Sequence, residues 1–195
     1  RPFADNPKIQ AIGIRNAPAI ALNPKNNFVA VGDTGPNNFD RFIYGAFFDK
    51  DGGNDKLLSF NWDETEASLQ KPALDLYQTG KLEMILKRWA PTETAVNIAF
   101  YENEKLPKLA ENQQYVLVTL FGRTGEKENK PGKSIMLGIL THAKANKLEL
   151  SSFIERAALG EGKLGHPLGL TVDPQTKKIY FGDILEGRIY EIDIL

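Results

Sequence analysis

The chain contains no cysteine, and this absence excludes three kinds of chemistry at once. Disulfide crosslinks, thiolate nucleophiles and zinc sites built on thiolates cannot form within these 195 residues. The absence leaves the compartment open, because many exported proteins also lack disulfides.

Long apolar runs and an excess of one charge are missing as well. No apolar segment approaches the roughly 20 residues that span a bilayer, so we expect no transmembrane segment. The chain carries 24 basic and 25 acidic residues, so it has no overall positive field to attract nucleic acid or an anionic membrane. It opens on Arg1-Pro2-Phe3 with neither an initiating Met nor a signal peptide, which predicts a processed or trimmed chain.

The residues that are present predict a nearly all-β protein. Hydrophobic residues make up 42% of the chain and aromatic residues 10%, which is enough for a packed core. Short runs rich in Val, Ile, Tyr and Phe alternate with Gly, Pro, Asn and Asp turns, as in strands and their connections. Only 63–69 and 152–159 could form a turn or two of helix. The predicted strands are 8–14, 17–22, 27–31, 42–47, 57–60, 82–89, 96–101, 115–121, 135–140, 148–153, 168–172, 178–181 and 188–194.

One unit of sequence recurs along the chain. An apolar strand, a turn and a second apolar strand end in Gly32-Asp33 near the start and in Gly182-Asp183 near the end, with a looser copy between them. Ile20, Ile98 and Leu170 hold matching positions, 78 and 72 residues apart. Such a unit, followed by outer strands, is typical of a β-propeller blade.

The length of the unit limits how many blades the chain can form. At about 75 residues per unit the chain holds about three blades, whereas propellers typically close with about 4 to 8. We therefore expect residues 1–195 to form one partial propeller domain, with no separate second domain. Further residues or a second chain would complete it, because open sheet edges and faces invite aggregation. A compact sandwich of fewer, larger sheets is the alternative.

Several motifs, in order along the chain, resemble one protein family. They are Gly13-Ile14-Arg15-Asn16-Ala17-Pro18, Gly35-Pro36-Asn37-Asn38-Phe39-Asp40, Tyr44-Gly45, Ile98-Ala99-Phe100-Tyr101, Tyr115-Val116-Leu117-Val118 and the segment from Gly165-His166-Pro167 to Gly187-Arg188-Ile189-Tyr190. They are similar to the C-terminal half of the glucose/sorbosone dehydrogenase family, six-bladed propellers that use pyrroloquinoline quinone (PQQ). The resemblance implies about half of a six-bladed propeller, completed by an N-terminal half. It also implies a PQQ- and calcium-dependent sugar dehydrogenase located in the periplasm or outside the cell.

The resemblance further implies roles for individual residues. The backbone oxygens of Gly35 and Pro36 would bind calcium, a hard cation that prefers oxygen ligands. Arg15 and Asn16 would contact the quinone oxygens, where a fixed guanidinium stabilises the negative charge that builds up on reduction. Asp40 matches an acidic residue near the quinone.

The chain also departs from the family pattern. Ile14 stands where the family often has His, Thr34 where it often has Gln, and His166 near a position where members often place Arg. Arg123 would supply a cation that the family projects from the preceding blade. Thr34, Arg123 and His166 are therefore expected to bind the cofactor together with Arg15, Asn16 and Asp40. The general-base histidine of the family belongs to the N-terminal half. We therefore expect no catalytic residue in this chain and no sugar oxidation by it alone.

Each motif also has a simpler interpretation. Arg15-Asn16 and Gly35-Pro36-Asn37-Asn38 read equally well as turns, and His166 as a loop residue beside a proline. His142, within Thr-His-Ala-Lys-Ala-Asn-Lys, is expected to be solvated.

The departures at Ile14, Thr34 and His166 favour an alternative function, since fold does not determine function. A propeller that has lost its cofactor would act as an extracytoplasmic binding or assembly module, and a homo-oligomer is a further option. A calcium-dependent lactone hydrolase would need inward Glu, Asn and Asp ligands, and the chain shows no convincing set.

Overall fold

The described part of the protein is all-β, as the sequence predicts. The computed structural model describes residues 11–12, 16–26, 28–34, 40–45, 56–57, 85–89, 94–122, 134–142, 147–155, 166–184 and 187–194. Within these ranges there is no helix, and so none that could cross a membrane.

Every described strand overlaps one of the strands predicted from the sequence. The prediction of a helical turn at 152–159 is wrong for 152–155, because these residues continue strand β10 beyond a bulge between Ser152 and Ile154. The other predicted turn, 63–69, lies outside the described residues. The strands are β1 (Ala11–Ile12), β2 (Ala19–Leu22), β3 (Val29–Asp33), β4 (Asp40–Gly45), β5 (Lys56–Leu57), β6 (Ile85–Trp89), β7 (Ala95–Tyr101), β8 (Gln113–Leu120), β9 (Ser134–Thr141), β10 (Lys147–Glu155), β11 (Pro167–Val172), β12 (Ile179–Asp183) and β13 (Arg188–Ile192).

Three antiparallel sheets follow one another along the chain. The first sheet has the strand order β2-β3-β4-β6, the second β7-β8-β9-β10, and the third β11-β12-β13. In each sheet successive strands are neighbours, and in the described part none of the sheets closes on itself. A separate two-stranded ladder pairs β1 with β5 in parallel.

Strand β8 of the second sheet is buried because it lies between the other two sheets. On one face of β8, Val116 and Val118 join a core cluster with Phe42 and Tyr44 of the first sheet. On the opposite face Leu117 packs with residues of the third sheet, including Ile179 and Phe181. Seven of the eight residues of β8 are therefore buried, without the polar alternation of a strand that has one face in water.

The first strands of the three sheets, β2, β7 and β11, are neighbours, with β7 packed against both others. At the start of each, a backbone carbonyl accepts a hydrogen bond from the residue that follows the second strand. Thr34 N–H donates to Asn16 O at 2.8 Å, Phe121 N–H to Thr94 O at 2.9 Å, and Ile184 N–H to His166 O at 3.2 Å. Asn16, Thr94 and His166 are 78 and 72 residues apart, so the sequence repeat is also a structural repeat.

These contacts define two ends of the three-sheet array. The upper end is where β2, β7 and β11 begin, at Asn16, Thr94 and His166. The lower end is where the same strands finish and turn into β3, β8 and β12. Contacts between sheets join upper end to upper end, as between Asp40 and Thr94, and lower end to lower end, as between Tyr101 and Lys177.

Candidate functional site

Four of the residues predicted to bind a cofactor are described, and all four lie at the upper end. Asn16 precedes β2, Thr34 follows β3, Asp40 begins β4 and His166 precedes β11. Arg15, Gly35, Pro36 and Arg123 lie outside the described residues, so the roles assigned to them stay predictions.

A buried ion pair holds Asn16 in place. Asp33 ends β3 and stands opposite Arg41 in the ladder with β4, and their side chains form a salt bridge at only 1% and 4% exposure. The second carboxylate oxygen of Asp33 accepts a hydrogen bond from the Asn16 backbone N–H at 2.9 Å. The sequence pattern does not predict this pair, although Asp33 is the last residue of the repeated Gly-Asp motif.

Asp40 connects the first sheet to the second. Its carboxylate accepts a hydrogen bond from Thr94 Oγ1 at 2.7 Å, and the residue is 2% exposed. A buried carboxylate with this partner is suited to positioning the start of β7. The predicted place of Asp40 near a quinone stays a prediction.

His166 forms the corresponding junction between the second and third sheets. Its backbone N–H donates to Asp183 at 3.2 Å, as that of Asn16 does to Asp33. Its Nδ1 lies 2.8 Å from the Phe121 carbonyl oxygen, and its ring stacks on that of Phe121 with centroids 4.4 Å apart. We assign the Nδ1–H tautomer from this contact, because a carbonyl only accepts. At 1% exposure, His166 fits a positioning role better than direct ligand contact.

The donor set at the upper end limits what could bind there. Asp33, Asp40 and Asp183 all have partners within the chain, and the described residues contain no group of three or more His, Asp or Glu that could hold a metal. Gly35 and Pro36, whose backbone oxygens are the predicted calcium ligands, lie outside the described residues. Asn16 is exposed, so its side-chain amide can reach a ligand. An exposed amide at the upper end fits a polar cofactor.

At the lower end, a polar cluster surrounds His142, and the prediction that this residue is solvated is wrong. His142 is half-buried, with ring nitrogens 3.3 Å from Asn23 Nδ2 and 3.2 Å from Asn26 Nδ2. The Tyr44 hydroxyl lies 3.1 Å from Nδ1. Burial raises the pKa of Tyr44, while burial and the charge of Lys25 lower the pKa of His142.

A groove of about 1040 Å³ also opens at the lower end, away from the predicted cofactor residues. The connection between β7 and β8 lines it, together with residues 175–177 of the next turn and Lys25. Gln114 belongs to its wall and is 1% exposed, and neither polar atom of its amide has a hydrogen-bond partner. A buried amide without partners costs stability.

This amide leads to a prediction about stability. Replacing an unpaired buried amide by an apolar group of similar size removes its desolvation penalty, which is about 1–3 kcal/mol. We expect Gln114→Leu to raise the free energy of unfolding by about 1 kcal/mol, measured by urea denaturation. Gln113→Leu, at the half-buried neighbouring position, is the control and should bring no such gain. A loss of stability in Gln114→Leu would mean that the amide has a partner in solution.

Comparison with protein families, with curated proteins and with solved structures finds no match to this chain. The resemblance of its motifs to the glucose/sorbosone dehydrogenase family gains no support from these comparisons. The part of the chain that the structure describes is all-β and contains three antiparallel sheets, with polar residues at both ends of their array.

Proposed function

We propose that the chain forms about half of a six-bladed β-propeller that binds PQQ and calcium and oxidises a sugar or sugar aldehyde. Further residues of the protein or a second chain would supply the N-terminal half. In a propeller the first strands of the blades surround a central channel, and the neighbouring strands β2, β7 and β11 suit that arrangement. The observation that carries the proposal is that Asn16, Thr34, Asp40 and His166 lie at the same end of the array.

Some of these residues would contact PQQ or calcium, and others would hold the contacting residues in position. Arg15 would polarise the quinone and the exposed Asn16 amide would assist it, while Gly35 and Pro36 would hold the calcium ion. When bound, PQQ with calcium would accept a hydride from the sugar carbon.

Supporting residues keep these groups in position. The Asp33–Arg41 pair fixes the Asn16 backbone, and Asp40 holds the start of β7 through Thr94. Preorganised groups of this kind stabilise developing charge without rearranging during the reaction. We also propose an extracytoplasmic location, because the resemblance implies one.

Cofactor binding is the first test. On titration of the intact protein with PQQ, we expect a calcium-dependent change in the PQQ absorption spectrum that EDTA reverses. Asn16→Ala should weaken binding about two- to twelvefold, which corresponds to the loss of one hydrogen bond of about 0.5–1.5 kcal/mol. Gln175→Ala, an exposed residue of the lower end, should bind PQQ like the wild type.

Dye-linked sugar oxidation by the PQQ-loaded intact protein is the second part of this test. Activity that depends on both PQQ and calcium supports the proposal. If PQQ and calcium produce neither a spectral change nor activity, the dehydrogenase proposal is wrong.

A second candidate is a propeller without a cofactor that acts as an extracytoplasmic binding or assembly module. The groove at the lower end favours it, because it contains the unpartnered Gln114 amide. For this candidate, ligand-induced shifts in the NMR signals of the Gln114 side chain should appear without PQQ. Such shifts, together with no change in the PQQ spectrum and no PQQ-dependent sugar oxidation, would favour this candidate over the dehydrogenase.

A further inference from the structure

The ring of His142 lies where the lower ends of the first and second sheets meet. It follows β9 in the second sheet, whereas its partners Asn23, Asn26 and Tyr44 belong to the first. The rings of Phe28 and Tyr44 also contact it, with centroids 6.4 Å and 5.3 Å away. We propose that His142 is a pH-sensitive latch that holds the turn between β2 and β3 against the second sheet.

The turn itself determines how the two asparagine amides are oriented. Asn23 Oδ1 accepts a hydrogen bond from Lys25 N–H at 2.9 Å, and Asn26 Oδ1 accepts one from Phe28 N–H at 3.0 Å. Since only an amide oxygen can accept these bonds, the NH₂ groups of both asparagines are directed toward Tyr44 and His142. This assignment rests on the hydrogen-bond network, as it does for any side-chain amide.

Two NH₂ groups facing one imidazole favour its neutral form. A neutral ring has one nitrogen that accepts a hydrogen bond and one that donates, whereas the imidazolium ring only donates. Asn23 faces Nε2 and Asn26 faces Nδ1, so the neutral ring accepts a hydrogen bond from one of the two NH₂ groups, whereas the protonated ring accepts from neither. The Tyr44 hydroxyl already accepts a hydrogen bond from Asn23 Nδ2 at 2.7 Å. It could therefore accept a hydrogen bond from only one of the two N–H groups of the protonated ring.

The charged groups around the ring do not compensate for this. Lys25, in the same turn as the asparagines, adds a positive charge and is paired with Glu102 of the second sheet at 3.0 Å. On the neighbouring strand β10, Lys147 and Glu149 pair with each other at the surface. Among the described residues no carboxylate is hydrogen-bonded to the His142 ring, and the charge of Lys25 opposes a proton there.

The direction of the pH dependence follows from this arrangement. Burial, and then Lys25, lower the pKa of His142 below its usual 6.5, so the folded protein binds this proton less readily than the unfolded chain. The stability contributed by the latch is complete above about pH 6.5 and is lost as the pH falls through that value. Each pH unit below it reduces the folding equilibrium constant by at most about tenfold. Because Lys25 lines the groove at the lower end, acid would loosen that wall of the groove.

A negative charge introduced beside the His142 ring should abolish or reverse the loss of stability at low pH. In Asn26→Asp the carboxylate can still accept the Phe28 N–H and can also pair with imidazolium. We expect wild-type stability, measured by urea unfolding of the full chain at pH 7.5, 6.5 and 5.5, to fall on acidification. In Asn26→Asp this loss should be abolished or reversed. Asn103→Asp is the matched control, because Asn103 also accepts a turn N–H and contacts the Tyr101 hydroxyl, and it should follow the wild type.

The chain has two histidines, so ¹⁵N NMR of the imidazoles can follow each one separately. We expect His142 in the wild type to titrate below 6.5 and the side-chain amide signals of Asn23 and Asn26 to shift in the same titration. An unshifted or raised His142 titration would overturn the proposal. So would Asn26→Asp unfolding with the same pH dependence as the wild type.

Discussion

Asp33→Ala is expected to destabilise the protein by about 3–5 kcal/mol, because it removes the carboxylate from a buried ion pair with Arg41. Asp33 and Arg41 are 1% and 4% exposed, so water cannot replace the lost carboxylate. The substitution also removes the acceptor of the Asn16 N–H. Urea denaturation measures the loss of stability, and faster hydrogen exchange at the Asn16 amide would report the local effect.

Two controls separate the effect of burial from that of charge alone. Asp193→Ala removes an exposed salt bridge with Lys105, in which both side chains are about half exposed, and should cost less than about 1 kcal/mol. The double variant Asp33→Ala/Arg41→Met should be more stable than Asp33→Ala, because it removes the buried charge of Arg41 together with that of Asp33. If the double variant were as unstable as the single one, the ion pair would not explain the loss.

Gly32→Ala is expected to cost about 3 kcal/mol, the upper end of the usual range for overpacking. A Cβ atom at this position would lie 2.4 Å from the backbone carbonyl oxygen of Ala95 and 2.9 Å from its Cβ. The obstacle is the backbone of β7, which cannot rotate away as a flexible side chain could. The first and second sheets would have to separate at the upper end, so PQQ binding should weaken as well if the proposed function holds.

Gly182→Ala provides a matched comparison. Gly182 holds the equivalent position in the third sheet, before Asp183, but a Cβ there would meet no atom within 4 Å. We expect Gly182→Ala to change stability by no more than about 0.5 kcal/mol. Equal losses in the two variants, measured by urea denaturation, would contradict the close approach of β3 to β7.

Local sequence pattern was sufficient to predict the strands and the repeat. The runs at 115–121 and 178–181 are rich in β-branched and aromatic residues and bounded by turn residues, and each overlaps a described strand. Asn16, Thr94 and His166 are separated by 78 and 72 residues, as Ile20, Ile98 and Leu170 are in the sequence repeat. The helical turn at 152–159 was wrong because cross-strand pairing with β9 determines the structure of 152–155.

Contacts between distant residues were not visible in the sequence. His142 stands among polar neighbours, but its partners Tyr44 and Asn23 are 98 and 119 residues away. Gly32 and Gly182 occur in the same local motif, yet only Gly32 contacts another sheet. Similarly, the resemblance predicted only that Asp40 lies near the quinone, whereas its bond to Thr94 depends on how two sheets pack.

The central claim is that the upper end binds the cofactor. A crystal structure of the intact protein with PQQ and calcium tests it most directly. We predict density for both beside Asn16 and Thr34, at the end where β2, β7 and β11 begin. PQQ bound in the groove near Gln114, or crystals grown with saturating PQQ and calcium that contain neither, would contradict the claim.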